Sequence, residues 1–307
     1  MFRGFVSPLL AASLCLFAAG DQPAVVAPAR MAFPNAMPQT VVWAWQEPED
    51  LRSAPPQSIG VAFLAQTIFL RGSAAPDSAD ALVIIPRHQP LLVAPGAAVM
   101  AVVRLIATPG FHDSPEMRAQ TAAALARVAR QPGIRALQVD FDAMRSQRAF
   151  YAAVLTSLRP QMPAGMPLSI TALVSWCAAA PGPSDWLSSL PVDEAVPMFF
   201  RMGGSSLSGQ SKAGFPIREP LCRGSIGVST DESWPQLHRS ARLYLFAPRP
   251  WTQRQLAALS GIPAGRRAPA LQFSYAAAGL RPPNDSGLPP NLNPAASNQL
   301  PAEEKLP

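Results

Sequence analysis

Between residues 138 and 142 the chain reads Gln-Val-Asp-Phe-Asp, three polar side chains alternating with two apolar ones. In an extended strand, alternate residues share a face, so Gln138, Asp140 and Asp142 point the same way, roughly 6.6 Å apart along the backbone. Two carboxylates at such a spacing repel, and one of them is expected to keep a proton near neutrality. A proton donor beside a fixed negative charge is what general acid catalysis requires, and paired carboxylates are the equipment of glycoside hydrolysis. Asp142 is the candidate acid, with Asp140 supporting it or stabilising charge. Side-chain reach leaves their separation anywhere in the range that divides retaining from inverting enzymes. The structural alternative is Asp140 salt-bridged to Arg104 or Arg201, with Asp142 capping the next helix.

Other residues of the same character stand at the ends of neighbouring apolar runs. These are Trp43, Trp45 and Glu47, then Arg104, then Ser175-Trp176-Cys177, then Arg201, then Asp231-Glu232, and finally Arg249 and Trp251. The apolar faces of sugar rings stack on tryptophan planes, so Trp43, Trp45, Trp176 and Trp251 are candidate platforms, although core packing is the commoner use of tryptophan. Two of the four are expected to be core. Arg104 and Arg201 would either orient an anionic substrate group or neutralise the aspartates. Asp231 and Glu232 read better as caps on the segment that follows them.

Eight short apolar runs position these residues: Thr40–Trp45, Ile59–Ala65, Val99–Leu105, Ala136–Phe141, Leu168–Ser175, Ala195–Phe200, Gly224–Ser229 and Arg242–Phe246. Near-continuous apolarity without polar alternation suits a parallel sheet covered on both faces. Helices fit between several of them. Ser114 and Pro115 open one that Gly133 closes, and Arg145–Arg159 has a one-sided apolar spacing. Ser184–Leu190 is short, and Thr252 caps Gln253–Leu259. Alternation of this kind predicts an α/β fold, a somewhat irregular (β/α)8 TIM-like barrel. Chemistry in such a barrel gathers at the C-terminal ends of the strands. Ile68–Leu70, Leu82–Ile85 and Pro90–Val93 form a β-extension between the second and third strands. A doubly wound sheet with that extension is the alternative.

The blocks VVWAW, IGVAFLAQTIFL, LQVDFDA, PLSITALVSWC, DEAVPMFFRMG and RLYLFAPRPW, spread from Val41 to Trp251, resemble an exported bacterial family described as a domain of unknown function, number 3142. The resemblance implies a fold and export but no mechanism. LQVDFDA is also similar, more weakly, to the fourth strand of chitinase-type glycoside hydrolases (family 18), where acidic residues fall at every second position and end in a catalytic glutamate. Asp142 stands in that acid's place, but it is a methylene shorter, and Gln138 replaces an aspartate. The departures argue against substrate-assisted cleavage of N-acetyl sugars and leave a general sugar-binding barrel.

The first twenty residues carry Arg3, an apolar Phe5–Ala19 and small residues at Ala18 and Gly20, the pattern of a signal peptide cut before Asp21. Export places the mature chain in the periplasm or outside the cell, with no membrane span after cleavage. A linker over 21–38, the barrel over 39–280 and a disordered Pro-rich tail over 281–307 complete the expected organisation. Cys177 and Cys222 would then either pair or remain buried thiols. His88, His112 and His238 lack ligand spacing, so no metal or other cofactor is expected. The net charge of +6 comes from scattered arginines, without the basic and aromatic run of a nucleic-acid binder. The expected partner is a polysaccharide or other cell-envelope polymer, bound by a monomer. Two readings follow, a glycoside-hydrolase-like enzyme and a non-catalytic carbohydrate- or envelope-binding barrel.

Overall fold

Thr40–Ala44 (β1) pairs in parallel with both Ile59–Arg71 (β3) and Arg242–Phe246 (β11), and this double pairing closes the sheet into a barrel. The ring continues from β3 through Val99–Ala107 (β6), Ile134–Asp140 (β7), Leu168–Leu173 (β8), Glu194–Met198 (β9) and Ser225–Ser229 (β10) to β11. Every neighbouring pair in the ring is parallel. The protein is therefore an irregular (β/α)8 TIM-like barrel. This computed structural model describes residues 1, 33, 36–72, 81–178, 186–200, 216–232, 234–235 and 241–260. The predicted signal peptide, most of the predicted linker, Arg201 and the tail lie outside the described residues.

The β-extension takes a definite form. The runs Ile59–Ala65 and Ile68–Leu70 are one strand of 13 residues, β3, with a register shift between Leu64 and Gln66. Ala81–Pro86 (β4) folds back antiparallel on its far half. Leu91–Val93 (β5) pairs instead with Glu49–Leu51 (β2) in a small parallel sheet. Between β1 and β6 the described connections hold strands where a regular barrel has helices.

Helices cover the remaining wall. Ser114 caps Pro115–Ala129 (α1) by accepting the Met117 amide at 3.1 Å. The helix ends at Ala129, and Gly133 instead supplies a positive φ of 82° to the turn before β7. Arg148–Leu158 (α2) is flanked by single 3₁₀ turns and buries Phe150, Val154, Leu155 and Leu158. The strand predicted over Leu168–Ser175 stops at Leu173, because Val174–Ala178 (α3) already turns helical. No helix is formed by Leu187–Leu190, which make turns, so the described part of the short helix predicted over Ser184–Leu190 is irregular. Gln253–Ser260 (α4) follows its predicted Thr252 cap, whose Oγ1 accepts the Gln255 amide.

Alternation along the strands sorts the core into an inside and an outside. Val41, Trp43, Met100, Val102, Ala136, Val196 and Tyr244 pack together in the lumen. Their neighbours Ala101, Val103, Leu137 and Val139 face outward against Leu125 of α1 and Leu155 of α2. The bottom of the lumen is plugged by Phe33 and Met37, so the end of the predicted linker packs as part of the barrel. Gly60 makes room for that plug, since a Cβ there would lie 2.8 Å from the Met37 methyl.

Cys177 on α3 is bonded to Cys222, 45 residues later, with Cα atoms 5.8 Å apart. Cross-linking a loop of that length stabilises by about 3–4 kcal/mol through the entropy it removes from the unfolded chain. Reduction is expected to lower the melting temperature by roughly 10 °C. Superimposable melts with and without reductant would show that the bridge constrains nothing.

Candidate active site

A column of polar groups climbs the lumen along β7, β8 and β9. At its base the Glu194 carboxylate, almost fully buried, accepts from Arg242 Nη1 at 2.7 Å, Tyr244 Oη at 2.6 Å and Ser169 Oγ at 3.2 Å. Burial raises the Glu194 pKa, against the opposing pull of Arg242 and the hydrogen bonds from Tyr244, Arg242 and Ser169. Arg242 also donates from Nε to the Pro38 carbonyl and from Nη2 to that of Met37, and its guanidinium lies 4.9 Å from the Phe33 ring. This network ties the plug to the barrel. It escaped the sequence reading because Glu194 and Arg242 each open an apolar run, where a charge reads as an exposed strand start.

Gln138 stands above it with none of its surface exposed, donating from Nε2 to Ser169 Oγ at 3.0 Å. One pleat higher is Asp140. Its Oδ1 accepts from Thr171 Oγ1 at 2.8 Å, and its Oδ2 lies 3.9 Å from Arg104 Nε. Register dictates this meeting, because Arg104 on β6 is the direct neighbour of Asp140 on β7. Thr171 is a second residue that the sequence reading missed. Its place on β8, two past Ser169, was the available signal.

Asp142 lies two residues beyond the end of β7. Phe141 and Ala143 turn into the outer core, so Asp142 and Met144 are left at the rim of the mouth. Asp142 is exposed to solvent at the rim, yet the surrounding wall crowds its carboxyl from below. Its pKa is pushed up to about 6, first by this burial and then by the charge of Asp140, with Arg104 pulling the other way. One member of the carboxylate pair thus holds a proton at a pH where ordinary aspartates have lost theirs.

Aromatic rings complete the mouth. Trp43 and Trp45 stack with centroids 5.8 Å apart, and Phe246 meets both edge-on at 6.2 Å. The guanidinium of Arg104 lies 5.4 Å from the Trp45 ring centre. The loop carrying Trp45 is fastened by Arg87, which donates to the carbonyls of Trp45 and Glu47. Trp251 donates from Nε1 to the Trp43 carbonyl at 2.9 Å. The structure thus brings Trp43, Trp45, Arg104, Gln138, Asp140 and Asp142 to the upper lumen. Trp176 goes elsewhere, into the layer between barrel and helices, 5.0 Å from Trp186. Trp251 is likewise a packing residue. Among the described residues no group of three His, Cys, Asp or Glu side chains converges as a metal site, and no helix is long and apolar enough to cross a membrane.

Eight parallel strands with acidic, basic and aromatic residues at their C-terminal ends define a barrel of the class that carries its chemistry at that mouth. Residues 95–194 of the chain match the domain of unknown function DUF3142. That stretch includes Arg104, Gln138, Asp140, Asp142, Thr171 and Glu194. No curated protein matches the chain. Among solved structures it is similar to the chitinase domain of the spore coat protein CotE from Clostridium difficile, at 13% identity over 64% of this chain and with a TM-score of 0.37. The chain spans 60% of that structure's length.

Proposed function

We propose that this protein is an exported glycoside-hydrolase-like barrel that cleaves a polysaccharide, with Asp142 as general acid and Asp140 as the charge beside it. The observation that carries the reading is the pairing of unlike carboxyls. Asp140 is held by Thr171 and faces Arg104, while Asp142 at the rim has its pKa pushed up to about 6. Environments that separate two carboxyls in this way are how acid and base roles are divided in hydrolytic sites. Trp45, beside Arg104 at the mouth, would border the sugar. Residence in the periplasm or outside the cell is part of the proposal, supported by the signal-like first twenty residues and by a disulfide suited to an oxidising compartment.

A second reading is a barrel that binds a polysaccharide or envelope polymer without cleaving it. Asp142 is exposed and lies beyond the end of β7, so it is less firmly aimed than the buried Glu194 carboxylate. One experiment separates the two. The chain and its Asp140→Asn/Asp142→Asn variant are incubated with a panel of envelope and extracellular polysaccharides, and new reducing ends are counted. Release by the wild type alone establishes the hydrolase. No release from any polymer, with equal retention of glycan by both proteins, establishes the binding barrel.

A further inference from the structure

We propose that Arg104 is a carboxylate-binding fork at the mouth of the barrel, and that the polysaccharide taken there is acidic, bearing uronate-type carboxylates. The inference deepens the reading of the mouth as a glycan site and rests on it.

Arg242 and Arg104 both face the lumen, and they make opposite cases. Arg242 uses every arm within the protein: Nη1 on Glu194, Nε on the Pro38 carbonyl, Nη2 on the Met37 carbonyl. Its side chain is 4% exposed, and nothing is left for a ligand. Arg104 is 18% exposed and makes two direct contacts with described residues, while its charge also reaches Asp142. Trp45 lies against its guanidinium, and its Nε faces Asp140 at 3.9 Å, which is a charge contact and too long for a hydrogen bond. Neither terminal nitrogen has an acceptor among the described residues, and neither is among the buried atoms left without a partner. The side chain thus has exposed surface and unused donors with respect to the described residues.

A role in neutralising Asp140 would draw the guanidinium into a two-armed bond with that carboxylate. Asp140 instead takes its hydrogen bond from Thr171 at 2.8 Å, and no described residue accepts from the outer edge of Arg104. A planar guanidinium edge fits the two coplanar oxygens of a carboxylate better than it fits any neutral sugar hydroxyl. Trp45, 5.4 Å from the guanidinium, narrows the space the side chain samples, which lowers the entropy lost on binding. The positive formal charge, +6 on the full chain and +5 without Arg3 of the proposed signal peptide, adds a general attraction for an acidic polymer.

The test compares matched ligands on the full chain by calorimetry. Each of several uronate-bearing polysaccharides is paired with its carboxyl-reduced, neutral counterpart, and a sulfated neutral glycan serves as a third arm. Wild type is expected to bind at least one carboxylated member ~10-fold or more tightly than its reduced partner. Arg104→Gln should erase that difference and leave the weaker, neutral affinity. Arg104→Lys, which keeps the charge without the fork, should recover only part of it. The sulfated glycan should gain less than the carboxylated one, since its oxygens are tetrahedral. Equal affinity for every matched pair in the wild type, or a preference that survives Arg104→Gln, overturns the proposal while the glycan reading stands. Absence of binding to all ligands overturns both.

Discussion

Replacing Asp142 by asparagine is expected to lower kcat about 10²–10⁴-fold, the usual contribution of a general acid, while leaving glycan retention little changed. Wild-type activity should fall as pH rises through about 6, where Asp142 gives up its proton. The same residue carries a stability cost with the opposite appeal. Its pKa rises from 3.8 in the unfolded chain to about 6 in the folded one, so the native state binds more protons across that interval. Stability is then fully present below pH 4 and declines as pH rises through 6. Allowing for the side chain's partial exposure, the loss is ~1 kcal/mol. Asp142→Asn should therefore melt higher than wild type at pH 8 and at nearly the same temperature at pH 4. An identical gap at the two pH values would mean that the carboxyl is not held in its protonated form. Unchanged turnover would remove it from the mechanism.

The largest structural effect is expected at the other end of the lumen. Arg242→Met leaves the Glu194 carboxylate with Tyr244 and Ser169 but no positive charge. Breaking one side of a buried ion pair costs about 3–5 kcal/mol, whereas removing both sides together is often nearly neutral. The variant should melt roughly 10 °C below wild type at neutral pH. The deficit should narrow in acid, where Glu194 takes up a proton and needs no counter-charge. Adding Glu194→Gln should restore much of the loss, because a neutral amide keeps the size of the side chain. A single variant as stable as wild type would show that the plug of Phe33 and Met37 is held without this network.

Much of the barrel is legible in the sequence because its strands are apolar on both faces. All eight predicted runs become barrel strands, and Arg242–Phe246 has the same bounds in both. The misplacements share a cause. Where an apolar run continues into a helix, as at Val174–Ala178, apolarity cannot mark the strand's end. Where a strand spans a polar interruption such as Gln66-Thr67, the same signal divides one element into two. The site was readable where it lay along one strand, since period two places Gln138 and Asp140 together. Register between strands was not. The meeting of Arg104 with Asp140 is one of the two pairings the residue types suggested, whereas Thr171 with Asp140 and Arg242 with Glu194 join residues 31 and 48 positions apart, and no local pattern announces them.

The seam of the barrel bears on how the chain acquires its shape. Thr40 is paired with Leu243, so the first strand meets its final neighbour only when some two hundred residues between them are already in place. Contacts of such long sequence separation are slow to form, because loop closure must precede any reward from pairing. The aromatic group at the mouth straddles that seam, with Trp43 and Trp45 on one side and Phe246 on the other. A chain whose seam has not closed would carry these rings beside two free sheet edges, a state that invites association with other chains. The aromatic mouth is thus assembled from the two ends of the barrel's chain, and its rings come together only when the ring is shut.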